Sequence, residues 1–324
     1  MAGSYTGTVL ITGGTFNLGF EAALSIARSH PEYVVVIASR TDGDGAAQKN
    51  NKKLNQNNTN YLPLDLSKSS SVRAFVENWP SHNYPPIKAL LLNAGLQFPG
   101  PLGLTSDGVE KTFAISHVGH AVLFHLLVPH LSKNARIVVT SSGTHDPARK
   151  SGLPDAVYTT AEDLARPPAS GVDIPGLQRY STTKLANVLW AYALHKRLSR
   201  RVPEKGITIN ALDPGLMPGT GLTREQSWFP RFLFGYVLPN LIWLLRIVYS
   251  ENVHTPEESG AALARLAVGA DVEGVSGRYF EGLKDLPSSK DSYDEGKQDD
   301  LWDWSLNYAA EGREDVKKRF EVFN

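Results

Sequence analysis

The chain predicts an α/β fold, a doubly wound and mostly parallel sheet of about seven strands with helices on both faces. Thr8-Val9-Leu10-Ile11-Thr12 is a largely apolar run, the mark of a strand buried on both faces. It leads into the turn Gly13-Gly14-Thr15-Phe16-Asn17-Leu18-Gly19 and then a helical stripe at Phe20, Ala23, Leu24 and Ala27. The same alternation of apolar run and helical stripe recurs along the chain, as parallel strands joined by crossover helices require. Glycines and hydroxyls collect at the ends of these runs, where open α/β sheets bind their ligands.

Strand, glycine-bearing turn and helix together form a phosphate cradle, because glycines let the backbone approach and free N–H groups at the helix start face an anion. Gly13, Thr15, Asn17, Leu18 and Gly19 are its candidates. Tyr33 to Ala38 is a second buried strand, ending in Ser39-Arg40. About 20 residues past such a turn, an acid would bind the ribose 2′-hydroxyl of NAD and an arginine suits the 2′-phosphate of NADP. Arg40 therefore argues for NADP(H), with Asp42 as the nearby argument for NAD.

Asn50 to Asn60 is polar and reads as a helix end and a loop. Tyr61 to Leu66 is a third strand, and Val72, Phe75, Val76 and Trp79 form a core-facing helical stripe. Ile87 to Leu92 is the fourth strand, ending in Asn93-Ala94-Gly95. A helix follows from about Asp107 to Leu131. It carries His117, His120, His125 and His130, but no acidic partner accompanies them, so they read as packing residues rather than a metal site. Ala135 to Ser142 is the fifth strand, and residues 143–177 read as a long surface excursion. Gly206 to Ala211 is the sixth strand, breaking at Asp213-Pro214-Gly215, and Gly277 to Phe280 is the last.

Between them, residues 219–254 interrupt the alternation with Trp228, Phe229, Phe232, Phe234, Tyr236, Trp243 and Tyr249. A bulky apolar insertion near the crevice reads as a substrate lid, with an interface as the rival reading. A helix from Pro256-Glu257-Glu258 to about Gly269 precedes the last strand. Residues 285–324 form a C-terminal extension, polar to Asp300 and then helical at Leu301, Trp302, Leu306 and Tyr308. No repeat or linker divides the 324 residues, so one domain is expected.

Lys+Arg and Asp+Glu are both 33, which leaves no net charge to draw the chain to nucleic acid. There is no cysteine, which excludes disulfides, thiolate catalysis and cysteine-ligated metal. With no secretory leader visible, this fits a cytoplasmic protein. The most apolar segment, Phe232 to Leu245, falls short of the roughly 20 residues a spanning helix needs and is broken by Pro239 and Asn240. Lying on a membrane surface stays open to it.

The chemistry centres on Tyr180-Ser181-Thr182-Thr183-Lys184, which opens an amphipathic helix with Leu185, Val188, Leu189 and Tyr192 on one side. Residues four apart on a helix share a face, roughly 5–6 Å apart at Cβ. The Lys184 ammonium is therefore expected to lower the Tyr180 pKa from its ordinary value of about 10 and make the phenol a proton donor and acceptor.

In sum these pieces resemble a short-chain dehydrogenase/reductase, over about residues 6–282. The matching elements are Thr12-Gly13-x-x-x-Asn17-x-Gly19, Asp65-Leu66, Asn93-Ala94-Gly95, Ser141-Ser142, Tyr180-x-x-x-Lys184 and Pro214-Gly215 followed by Thr220. Ser116-His117-Val118-Gly119-His120 is similar to a stretch of retinol dehydrogenases and protochlorophyllide reductases. The run Pro214 to Leu222 looks more like the latter, although the cysteines typical of those reductases are absent. The resemblance implies a Rossmann-type sheet of order 3-2-1-4-5-6-7 and pairing into a homodimer through the helices after strands four and five.

It also implies roles. Tyr180 would be the general acid/base, and Lys184 would tune it and hold the nicotinamide ribose. Ser142 rather than Ser141 would bind the substrate oxygen. Asp65 and Leu66 would flank adenine, Asn93, Ala94 and Gly95 the ribose, and Pro214, Gly215 and Thr220 the nicotinamide. Asn17 stands where the family usually has glycine. Ser116 stands where it usually has the asparagine that supports the relay to Lys184. The expected activity is NADP(H)-dependent reduction of a ketone, or oxidation of the alcohol, on a bulky apolar or aromatic small molecule. Alternatives are reduction of a carbon–carbon double bond, or a degenerate NADP-binding cyclase or sensor, which Asn17 and Ser116 motivate.

Overall fold

The computed structural model describes residues 5–168, 174–221, 225, 228–314 and 317–318. Parts of the expected lid and extension, and Leu222, lie outside the described residues. The strands are β1 (Gly7–Thr12), β2 (Tyr33–Ser39), β3 (Thr59–Pro63), β4 (Ile87–Leu92), β5 (Leu131–Thr140), β6 (Thr208–Asp213), β7 (Arg278–Glu281) and β8 (Lys284–Leu286). They form one sheet of order β3-β2-β1-β4-β5-β6-β7-β8. All neighbours are parallel except β7 and β8, which pair antiparallel at the edge.

The helices are α1 (Asn17–Ser29), α2 (Ala46–Leu54), α3 (Ser69–Asn78), α4 (Lys111–Phe113), α5 (Gly119–Leu127), α6 (Ala161–Ala165), α7 (Gly176–Arg201), α8 (Trp228–Phe232), α9 (Ile242–Val248), α10 (Pro256–Val268) and α11 (Glu295–Ala310). Successive side chains of a strand point to opposite faces, and here they feed two cores. Leu10, Val34, Val36, Leu90 and Leu92 pack with α3, α5, α7 and α11. Val9, Ile11, Val35, Ile37 and Leu91 pack with α1, α2 and α10. A sheet covered on both faces explains why its strands read as apolar runs rather than as alternation.

The structure differs from the sequence reading in several places. The helix expected over Asp107 to Leu131 begins at Lys111. It contains a π-turn at Ala114–Val118 and gives way after a 3₁₀ turn to β5, which starts at Leu131. Residues 143–168 are not merely a surface excursion. Ala156, Tyr158, Ala161 and Ala165 are buried, and the Tyr158 hydroxyl donates to Asp300 Oδ2 at 2.6 Å. The polar tract before α11 is likewise built into the fold, with Ser288, Ser289, Ser292 and Gln298 buried.

The most apolar segment, expected over Phe232 to Leu245 and too short to span a membrane, lies within a longer helical run. Trp228–Val248 is a helical run of 21 residues, long and apolar enough to cross a membrane by length and composition alone, with none of it buried. Lys111–His130 passes the same test but is 83% buried, a core helix.

Candidate active site

The carboxyl ends of β1, β2, β4, β5 and β6 open on one cleft of about 580 Å³. Its walls include Gly13, Thr15, Asn17, Leu18, Gly19, Arg40, Asp65, Leu66, Asn93, Ala94, Gly95, Ser142, Tyr180, Lys184, Pro214, Gly215 and Thr220. Ser116 alone among the expected residues stays behind the wall, in the π-turn, while its neighbour Ile115 lines the cleft.

At one end, α1 starts directly after the glycine turn. Asn17 adopts φ +45°, the left-handed region that asparagine tolerates better than most residues. Gly19 packs so closely on the turn that a Cβ there would strike the Gly13 carbonyl oxygen. The Thr12 hydroxyl ties the turn to the next loop by accepting from the backbone N–H groups of Asn93 and Ala94, at 2.9 and 3.0 Å. It lies 2.8 Å from His120 Nε2, and His120 Nδ1 lies 3.2 Å from the Ser116 carbonyl oxygen. That carbonyl can only accept, so Nδ1 carries the proton, and the one Thr12 hydroxyl hydrogen lies between His120 Nε2 and the Leu91 carbonyl oxygen at 3.2 Å. Burial holds His120 neutral, its pKa down to about 3. Among the described residues no group of three or more His, Cys, Asp or Glu is placed to hold a metal ion.

Ser39, Arg40 and Thr41 close the same end of the cleft. Asp42, the argument for NAD, is occupied as a helix cap, since its Oδ1 accepts from Ala46 N at 2.6 Å.

At the other end, α7 carries Tyr180 and Lys184 and β5 delivers the serines. Ser141 is structural, its hydroxyl donating to the Lys184 carbonyl at 2.8 Å. Ser142 faces Tyr180. Burial pushes the Tyr180 phenol up to about 12, hydrogen bonding with Gln97 and Ser142 pulls it down, and the Asp213 carboxylate pushes it up. Lys184 is pulled down to about 8 by burial, against the opposing pull of Asp213. On balance the phenol is therefore raised, not lowered as expected. The ammonium lies 5.5 Å from the Tyr180 ring centroid and donates instead to the Thr140 carbonyl at 3.1 Å, so desolvation dominates both groups.

Ser116 Oγ is buried without a hydrogen-bond partner among the described residues. A Cβ built on Gly95 would sit 3.3 Å from it and 3.4 Å from Lys184 Nζ, so the glycine keeps open the space between the two.

Two contributors escaped the sequence reading. Gln97 follows Asn93-Ala94-Gly95 on an irregular loop, where no periodicity points a side chain anywhere. Asp213 was visible only as a strand breaker, although acids at the carboxyl ends of strands face the crevice. It caps its own turn by accepting from Gly215 N at 3.0 Å, and it accepts from Asn252 Nδ2 at 2.8 Å.

Over residues 7–161 the chain matches the short chain dehydrogenase family, and over residues 223–317 the AcuH dehydrogenase domain. The WW domain-containing oxidoreductase of Danio rerio is 32% identical over 308 residues, spanning 94% of this chain and 68% of that protein. The chain belongs to the short-chain dehydrogenase family. Polyprenol dehydrogenase of Danio rerio is 28% identical over 299 residues, 90% of this chain and 83% of that one. A 3-ketoacyl-(acyl-carrier-protein) reductase from Brucella melitensis complexed with NADH shares the fold, with a TM-score of 0.57 at 20% identity over 85% of this chain and 96% of that one.

As a member of this family the chain is an oxidoreductase acting on CH–OH and C=O groups, and the family typically uses NAD(P)(H). Its residues fit that cofactor. Backbone amides at the start of α1 suit the pyrophosphate, and the glycine-backed turn leaves room for it.

Proposed function

We propose that this dehydrogenase uses NADP(H) and reduces a ketone, or oxidises the secondary alcohol, on a bulky apolar or aromatic molecule. The observation that supports this best is the convergence of Tyr180, Ser142 and Lys184 on the cleft whose far end carries Arg40. The cofactor supplies or accepts the hydride. Ser142 holds the carbonyl oxygen, and Tyr180, protonated at any physiological pH, donates to it. Lys184 offsets the charge left on the phenol. Ser116 and the space beside Gly95 give the lysine a polar neighbour through which a proton can be returned.

Leu96, Ile115, Leu153, Met217 and Tyr249 make the substrate side of the cleft apolar, and a relative named polyprenol dehydrogenase acts on a molecule of that character.

Arg40 is expected to favour NADPH over NADH by about ten- to a hundredfold in kcat/KM, the effect of one charge-assisted phosphate contact. The double substitution Ser39→Asp, Arg40→Ser should reverse that preference. Equal use of both dinucleotides by the unaltered enzyme would remove NADP from the proposal.

The pH dependence follows from Lys184. Below about 8 it is a cation and steadies the developing phenolate, and above that value it loses its charge. Ketone reduction is therefore expected to be flat through neutrality and to fall with a single-proton slope above about pH 8. A rate that instead rises through that range in the reducing direction would contradict this role for the lysine.

A further inference from the structure

The run Trp228–Val248 exposes its apolar side chains where a folded protein usually hides them. Trp228 is 75% exposed, Tyr236 73%, Trp243 63% and Ile247 76%. Phe229, Phe232, Val248 and Tyr249 are also exposed. A contiguous patch of this kind marks an interaction surface.

Its chemistry selects the partner. From Trp228 to Ser250 the only charged residues are Arg231 and Arg246, and there is no acid. Tryptophan and tyrosine interleave with Leu, Ile, Val and Phe, the composition of segments that settle at the boundary between lipid headgroups and acyl chains. Arg246 is paired with Glu258 Oε2 of α10, so Arg231 is the cation that can face an anionic headgroup layer.

The segment is also tied down along its length. Gly219 N donates to the Phe234 carbonyl at 2.7 Å, and Arg246 Nε donates to the Val253 carbonyl at 2.7 Å. The Tyr249 hydroxyl donates to the Ser151 carbonyl at 2.9 Å. Threading these residues across a bilayer would break those bonds, whereas lying in its surface keeps them. Tyr249 and Ser250 line the cleft, so the patch borders the substrate entrance.

We propose that Trp228–Val248 is a monotopic membrane-docking element that seats the cleft mouth on an anionic bilayer, so that a lipid-dissolved substrate enters without crossing water. The route of entry rests on the carbonyl-reductase reading, while docking itself does not. The test is flotation of the full chain with mixed phosphatidylcholine–phosphatidylserine vesicles, together with tryptophan emission. It compares the unaltered protein with the triple variant Trp243→Gln, Ile247→Ser, Val248→Ser, whose residues do not line the cleft.

The unaltered protein is expected to float, with emission shifted to the blue as Trp228 and Trp243 enter lipid. The triple variant should lose about tenfold or more of its vesicle binding and keep its turnover of a small water-soluble ketone. Equal flotation of both proteins overturns the proposal. So does an unaltered protein that ignores vesicles, including one that sediments as a dimer while the variant is a monomer, since the patch then serves self-association. Floating protein that turns over no ketone upholds docking and counts against the enzymatic reading alone.

Discussion

Replacing Tyr180 by phenylalanine is expected to lower kcat/KM by about 10³-fold, within the range that a positioned general acid contributes. The phenol is buried and protonated, so its ring packing survives the loss of one oxygen, and the fold should stay intact. Dinucleotide affinity should change little, because the glycine turn and Arg40 lie at the other end of the cleft. Gln97 and Ser142 lose a partner, yet both line the cleft, where water can replace it. Steady-state kinetics alongside a dinucleotide titration separate the outcomes. A variant that binds dinucleotide normally and keeps its rate would show that the reaction proceeds without this proton donor, as a non-redox cyclase or sensor would.

Replacing Glu110 by alanine is expected to destabilise the protein by about 3–5 kcal/mol, the usual effect of leaving a buried charge unpaired. Glu110 and Arg179 are 1% and 4% exposed and pair at 3.2 Å. The carboxylate also accepts from Phe113 N at 2.8 Å and caps α4. Burial pushes its pKa up while the Phe113 amide and Arg179 pull it down, so the group is held by its partners rather than by solvent. Arg179 immediately precedes Tyr180 and donates to the Gly100 carbonyl at 2.8 Å, so it fastens the catalytic turn of α7 to the loop carrying Gln97. Loss of stability should therefore come with loss of turnover. Urea unfolding and kinetics of Glu110→Ala, compared with the double variant Glu110→Leu, Arg179→Met, check this. The double variant should recover most of the stability, and a single variant as stable as the unaltered protein would contradict the account.

The parts of the fold that follow from periodicity were legible in the sequence. Buried strands such as Val34 to Ala38 and helical stripes such as Val72, Phe75 and Val76 mark themselves, and the parallel order follows from their alternation. β8 was not legible, because three residues at a sheet edge carry no period. Nor was the π-turn at Ala114–Val118, since its residues are as apolar as those of the helix around it. In the site, the glycine turn, Arg40 and the Tyr180–Lys184 spacing could be read because motif spacing encodes them. Gln97 could not, as its place depends on how an irregular loop lies against α7. The sign of the Tyr180 shift was also out of reach. Spacing gave the neighbouring cation, but the outcome depends on burial and on Asp213, which arrives from a strand far along the chain.

The most direct test of the central claim uses NADPH deuterated at the reactive carbon of the nicotinamide ring, offered with a panel of bulky ketones. The account predicts an alcohol product carrying deuterium on the former carbonyl carbon, formed by the unaltered protein and almost lost with Tyr180→Phe. Dinucleotide that binds the cleft but passes no deuterium to any ketone would contradict it.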